Sequence, residues 1–579
     1  MKSLLEKNNL AVFFLLAAVI FLFYGNALFN DFVYDDGYLI IENKFIKSFA
    51  YLKEIFLSDV TITSPLSQAS GYYRPVAMVF LMMIDKVWGL NPFGWHLTTV
   101  LLHLINTFLV YLLLRRISQN TILSLIAGII FAVHPIHVEA VTPVYNSMGL
   151  LASFFSLGSF LAFVNSEGLK KKEFTVLSVV LLLLGLFAKE EVIVLPVIFV
   201  LYDFYFLAQF SWRNIIQRWK FYVLFFGAAF FYMVMRVVVV EKGAALGLWD
   251  LNFTFNVIPA ENFFWQILTV IKIFYFYILL LILPFQLSAF HVIPAASSLF
   301  DVVTIFSVVV VLELLICALY IRRKKPLLSF FVLMFFLSTL PVSNIIPIGG
   351  IFAERFMYFP SLAYCFLFAF VFERLYRKFA GVEEKTKRNA VILVGLAVVL
   401  IYAFKSAERN YTWRNNLVLW RDTVAKSPSS AVVRLNLADT YFSKKLYNEA
   451  LSEYQTALSL SNFKEFHVHN SIGKIYGLKE EYDLALKEFH KVIELNDRFV
   501  EGYYNLGITY FHKDDLRSAA VNFAKARDLD PQYSWSYYGL GLVLEKKGEP
   551  VLAKEMFRKT LDLDPDHELA RIAWENLFP

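Results

Sequence analysis

Only two cysteines occur, Cys317 and Cys365, both inside apolar runs, so the chain has neither a disulfide framework nor a cysteine-based zinc site. Charge is scarce as well: Asp, Glu, Lys and Arg make up 18% of the 579 residues, against 58% hydrophobic and 17% aromatic. That balance excludes a single soluble domain. The net charge is only +6, and the basic residues stand in short clusters such as Arg115-Arg116, Lys170-Lys171-Lys172 and Arg322-Arg323-Lys324-Lys325. Clusters of this kind between apolar runs mark the cytoplasmic ends of membrane helices and not a nucleic-acid surface.

What the chain does have is a succession of apolar runs up to about residue 405, followed by a polar, densely charged remainder. The runs fall at 11–29, 93–114, 122–140, 145–164, 174–188, 191–207, 219–240, 262–283, 301–321, 327–346, 351–372 and 388–405, about 12 in all, which predicts a polytopic all-α membrane domain. Lys2 and Lys7 place the N-terminus in the cytoplasm, and with no small-x-small cleavage site the first run is read as a retained helix. Keeping every basic cluster cytoplasmic requires that 262–283, which carries Lys272, does not change sides by itself. Eleven crossing helices are then expected, with the C-terminal part outside the cytoplasm. Residues 75–88 read as an amphipathic helix lying along the interface.

The polar remainder is a repeat array. Ala450, Ala485, Ala519 and Ala553 recur every 34 or 35 residues. A small residue stands twelve positions before each (Ala438, Gly473, Gly507, Gly541), and an aromatic four positions after (Tyr454, Phe489, Phe523, Phe557). This is the tetratricopeptide helix-turn-helix pattern, in which small residues let paired helices approach and the aromatic fills the gap. The expected layout is a membrane domain over 1–408, a linker and capping helix over 409–429 carrying Trp413 and Trp420, and four repeats plus a terminal capping helix over 430–579. Such repeats carry no catalytic group, so by default they present a binding surface.

The chemistry-bearing groups collect elsewhere. Asp35 and Asp36 follow directly on the first apolar run, where two carboxylates are tolerated only at a wet boundary. By alternation of the runs, His134, His137 and Glu139, then Lys189, Glu190 and Glu191, then Glu354 and Arg355, open on the same side. Carboxylates that deprotonate a hydroxyl, beside cations that hold a phosphate, suit transfer from a lipid-phosphate donor. His103 and Asn106 share a helical face with His96 inside a run. Blander roles compete: a solvated loop for the aspartates, interfacial packing for the histidines, helix-to-helix hydrogen bonds for His103 and Asn106, an internal ion pair for Glu354 and Arg355. A zinc site from His134, His137 and Glu139 has no supporting motif, and no metal ligand is assigned.

The ordered motifs Phe32-Val33-Tyr34-Asp35-Asp36, Tyr73-Arg74-Pro75-Val76, Asn91-Pro92-Phe93-Gly94-Trp95-His96, His134-Pro135-Ile136-His137-Val138-Glu139-Ala140-Val141, Ala188-Lys189-Glu190 and Ala353-Glu354-Arg355-Phe356, followed by the repeats, resemble the transmembrane and tetratricopeptide repeat-containing O-mannosyltransferases, of the GT-C glycosyltransferase superfamily. The resemblance implies an inverting transferase. It would move a sugar, mannose first of all, from a polyprenyl-phosphate donor to a hydroxyl of an acceptor protein carried by the repeats, in an inner membrane with the repeats in the periplasm. It makes Asp36 the expected general base with Asp35 orienting it. Lys189 and Arg355 are expected near the donor phosphate, with Glu139, Glu190 and Glu354 supporting them. Tyr73, Arg74, His103, Asn106, His134 and His137 complete the expected donor and substrate set. The family's Gly-Arg-x-Asp-Leu-Leu is here Asn146-Ser147-Met148-Gly149-Leu150-Leu151, which lacks its Arg and Asp. That departure keeps open a catalytically silent membrane scaffold whose repeats recruit envelope or secretion partners.

Overall fold

A computed structural model describes residues 8–57, 72–168, 170–245, 263–345, 352–379, 384–460, 465–577. Among them helix is the only regular secondary structure. The chain divides into two units, Met1–Asp422 and Thr423–Pro579, with the division inside the Asn416–Lys426 helix.

Among the described residues of the first unit seven helices are long and apolar enough to cross a membrane: Asn9–Phe29, Pro92–Ser118, Val144–Asn165, Trp219–Val240, Phe263–Ile282, Val302–Ile321 and Lys385–Thr412. The pair Thr121–Val133 and Pro135–Val141, bent by 52°, makes an eighth if it is one span. Eleven crossings are therefore not reached among the described residues. The run at 191–207 breaks into a 3-10 turn (Glu190–Val194), the eight-residue helix Leu195–Tyr202 and a π turn (Asp203–Leu207). The run at 327–346 shortens to Pro326–Thr339 with a 3-10 turn at Pro341. Ser361–Lys378 ends in the charged Glu373-Arg374 and Arg377-Lys378. The segment expected not to change sides is an unbroken 20-residue helix, Phe263–Ile282, able to cross alone, with its buried Lys272 paired to Asp301 at 3.2 Å. The adjoining 246–262 lies outside the described residues.

The amphipathic reading of 75–88 holds as a helix, Pro75–Trp88. It buries Ala77, Met78, Leu81, Met82 and Ile84 against Trp95, Tyr145 and the loop residues Ile40 and Ile46, forming the core beneath the first polar loop. The capping helix differs from expectation. Residues 409–412 complete Lys385–Thr412, Trp413 caps that helix, and a fresh start follows where Asn415 Oδ1 accepts the Val418 N–H. The two tryptophans thus do not share one helix. Trp420 packs edge-to-face on Tyr34, and Trp413 lies under the Arg409 guanidinium, so both serve the first unit.

The second unit contains four helix pairs, from Ala431–Ser443 with Tyr447–Leu460 to Ser534–Lys546 with Pro550–Leu563, closed by Glu568–Asn576. The small-and-aromatic spacing has a direct physical cause. A Cβ added at Gly473, Gly507 or Gly541 would stand 2.6, 2.6 or 2.4 Å from the ring of Phe489, Phe523 or Phe557. The ring of the second helix therefore lies flat on the backbone of the first.

Candidate functional site

The site begins at a strained turn. Tyr34 has a φ of 55°, unusual for an aromatic residue, and is held there by Asn416 Oδ1, which accepts its N–H at 2.8 Å, and by the rings of Tyr145 and Trp420. This turn sends the two following carboxylates in different directions.

Asp36 is fully buried. Its Oδ2 accepts the Val33 N–H at 2.9 Å and its Oδ1 accepts the Tyr145 N–H at 2.6 Å, so the side chain staples the first polar loop to the Val144–Asn146 turn. Burial pushes its carboxyl up to about 7, against the pull of those two N–H groups. Asp35 is partly exposed and lies in the field of Arg355, with the Tyr38 hydroxyl bonded to it. Burial raises it to about 6, opposed by the Arg355 charge.

Arg355 belongs to a 3-10 turn, Glu354–Met357, and meets Glu139 twice. Glu139 Oε2 accepts the Arg355 backbone N–H at 3.1 Å, and Oε1 accepts from the guanidinium. The guanidinium also lies over the Tyr145 ring at 5.9 Å. The aspartate loop, the His-Pro helix end and the Glu-Arg turn are thereby one connected structure.

Beside it opens a small cavity lined by Ala140, Asn146, Gly149, Ser153, Lys189, Glu191, Arg355, Tyr358 and Phe359. Lys189 pairs with Glu191 at 2.5 Å and faces the Phe356 ring at 5.5 Å. Glu190, one residue away, points elsewhere and accepts a two-pronged bond from Arg74, at 2.9 and 2.6 Å. Burial works against the Glu190 charge, but the Arg74 guanidinium outweighs it and holds the carboxyl down at about 2. Arg74 and Glu190 brace the loop that carries Lys189.

Several expected site residues are spent on the scaffold. His103 bonds through Nδ1 to the Tyr358 hydroxyl at 2.7 Å and through Nε2 to the Ala132 carbonyl at 3.2 Å. His134 reaches the Leu281 carbonyl at 2.9 Å and accepts the Ile136 N–H at 3.2 Å. His137 bonds the Phe131 carbonyl at 2.8 Å and the Ser361 hydroxyl at 2.7 Å. With both nitrogens of each ring engaged, these histidines cross-link helices and have no capacity left for a ligand. Asn106 donates to the Leu150 carbonyl at 2.9 Å and ties two spans together. Tyr73 is buried with its hydroxyl on the Phe56 carbonyl at 3.0 Å and lines no part of the cavity. Glu354 is buried and receives the Ser288 N–H and His291 Nε2. Among the described residues no three His, Cys, Asp or Glu side chains gather as a metal site requires.

Sequence reasoning did not select Glu191, Asn146, Ser153, Tyr358, Phe359 or His291 as site residues. Glu191 stood in the quoted Lys189-Glu190-Glu191 string and was the nearest to being legible. His291 has no local signal, because it is brought to Glu354 from 63 residues away.

A helical membrane unit with a polar cavity at one end and a repeat unit behind it in the chain defines the class: a multi-pass membrane protein with tetratricopeptide repeats. A tetratricopeptide repeat family model matches residues 431–463 and 536–567. The chain is similar to the protein O-mannosyl-transferase F38B6.6 of Caenorhabditis elegans, at 27% identity over 76% of this chain and 61% of that protein. It is also similar to the human protein O-mannosyl-transferase TMTC3, at 25% identity over 81% of this chain and 53% of that protein. The chain thus spans about half to three-fifths of the length of these relatives. The solved structure of YrrB, a TPR protein with an unusual peptide-binding site, aligns at 24% identity over 30% of this chain and 87% of its own, with a TM-score of 0.24.

Proposed function

We propose that this chain is an inverting glycosyltransferase. It moves a sugar, mannose by the names of its relatives, from a polyprenyl-phosphate donor to a hydroxyl of an acceptor protein held by the repeats, on the extracytoplasmic face of a plasma membrane. The observation that supports this best is that Asp35, a partly exposed carboxylate, lies in the field of Arg355, which with Lys189 lines the cavity.

In this reading Asp35, not Asp36, is the general base. Asp36 has both oxygens engaged by backbone N–H groups and no exposure, whereas Asp35 has an open edge and a neighbouring cation to stabilise it. Asp35 takes the proton of the acceptor hydroxyl as its oxygen attacks the anomeric carbon. The bond from that carbon to the phosphate oxygen breaks on the opposite side. The electron pair leaves with the phosphate, whose charge Lys189 and Arg355 hold. Asp36 keeps the loop in register.

The scaffold alternative draws on one observation. Gly149 stands where the resembling family has an acid, and Lys189 pairs with Glu191 beside it. Mass spectrometry of envelope proteins from cells with the chain, without it, and with Asp35→Asn decides between the two. Hexose lost from specific Ser and Thr residues in both altered strains supports the transferase, and an unchanged glycan profile supports the scaffold.

A further inference from the structure

Three ion pairs lie in or near the cavity wall, and they are not equivalent: Lys189, Glu191 and Arg355 line the cavity, whereas Arg74, Glu190 and Glu139 do not. Arg74 and Glu190 meet through two parallel contacts. Arg355 and Glu139 also meet twice, once through the Arg355 backbone N–H, with Glu139 buried at 1% side-chain exposure. Glu139 cannot be released without leaving a buried carboxylate unpaired, and Glu190, 24% exposed, is held by two charge-assisted bonds at once. Lys189 and Glu191 meet once, Nζ to Oε1 at 2.5 Å, and Glu191 sits on the cavity wall with 26% of its side chain exposed. An ammonium has three donors in a flexible arrangement, and Gly149 opposite leaves room, since even an added Cβ there would be 3.6 Å from Nζ. Of the three cations, Lys189 is the one joined to its anion by a single side-chain contact at a carboxylate on the cavity wall.

We infer that Glu191 is a built-in placeholder for the phosphate: its carboxylate occupies the anion position at Lys189, yields to the donor phosphate, and returns to expel the polyprenyl monophosphate after transfer. This rests on the transferase reading of the cavity. The exchange is one anion for another at a single ammonium, so no bond is made or broken. Its consequence is weaker product binding and faster turnover than an uncontested lysine would allow. With Glu190 committed to Arg74, Glu191 is the acidic residue of this loop that faces the cavity.

The test measures binding of undecaprenyl monophosphate and of uncharged undecaprenol to the purified full chain in nanodiscs. The proteins are wild type, Glu191→Gln, Lys189→Gln and the double variant, with Glu191→Ala as a second probe should the amide disturb folding. Glu191→Gln is expected to bind the monophosphate about fivefold more tightly, the size of one partly exposed ion pair. The gain should vanish when Lys189→Gln is the background and should not appear with undecaprenol. Unchanged or weaker binding in both Glu191 variants overturns the placeholder while wild-type binding of the monophosphate leaves the transferase standing, as does a gain that survives Lys189→Gln or extends to undecaprenol. If wild type binds the monophosphate no better than the alcohol, the donor class fails and the placeholder falls with it.

Discussion

Asp36 and Tyr145, 109 residues apart, are joined by a 2.6 Å hydrogen bond in which the Tyr145 backbone N–H donates to the carboxylate, while the other carboxylate oxygen accepts from Val33. Among the described residues the adjacent Asp35 side chain has no such bond to the backbone of another element, and it lies in the field of Arg355 instead. The two neighbouring carboxylates thus have different surroundings, one held by backbone N–H groups and one in the field of a guanidinium.

Substitution should tell the two apart. Asp35→Asn removes a base without removing a staple, so transfer is expected to fall by about 10²- to 10⁴-fold with the thermal midpoint little changed. Asp36→Asn has one acceptor oxygen for two N–H donors and turns an amide N–H toward one of them, which should cost about 1–3 kcal/mol of stability. Activity assays paired with thermal unfolding in detergent check both. A fully active Asp35→Asn would end its candidacy as the base.

The pH dependence follows from the same two residues. A base raised to about 6 must be ionised to work, so transfer should fall as pH drops through 6, and that limb should vanish from the residual activity of Asp35→Asn. Stability runs the other way. The Asp36 carboxyl is raised from 3.8 to about 7, so between those values the folded state binds more protons than the unfolded one. Its contribution therefore declines as pH rises from about 4 to 7 and is level above that. Comparing unfolding midpoints of wild type and Asp36→Asn across this range should show the wild-type slope flattened in the variant.

How much of this was legible beforehand depended on the kind of partner each residue has. The repeats were plain because Gly507 and Phe523 lie on one another at a fixed spacing, and both are written in the chain. The gathering of Asp35, Glu139, Lys189 and Arg355 was legible from the order of the motifs. The different surroundings of Asp35 and Asp36 were not, because the partners of Asp36 are backbone N–H groups that carry no residue identity. The hydrogen bonds of His134 and His137 to the Leu281 and Phe131 carbonyls were not legible for the same reason, since a backbone carbonyl carries no residue identity. The 3-10 and π turns that interrupt the apolar run at 190–207 were not legible either, because its hydropathy is uniform.

Arg355 is expected to be intolerant of a change that keeps its charge. Lysine supplies an ammonium but not the fork that reaches Glu139 while facing Asp35 and the cavity. Removing the cation altogether with Arg355→Met leaves Glu139 buried and unpaired, a loss of about 3–5 kcal/mol. Arg355→Met with Glu139→Gln should recover much of that stability and none of the transfer. Unfolding and activity measured on the three variants separate the structural share of this pair from its share in holding the phosphate.

The repeats offer a test independent of the cavity. A methyl at Gly507 would stand 2.6 Å from the Phe523 ring, closer than carbon atoms approach, so Gly507→Ala forces the two helices apart. Alanine gains about 1 kcal/mol in helix propensity, but overpacking costs about 1–3 kcal/mol, and because the ring is fully buried with no side to swing toward, the second effect should win. Phe523→Leu in the same chain removes the clashing ring atoms and should return part of the loss. Hydrogen exchange on the full-length protein reads this locally: Val500–His512 and Leu516–Leu529 should lose protection in Gly507→Ala and regain it in the double variant, while amides of the membrane unit stay as they were.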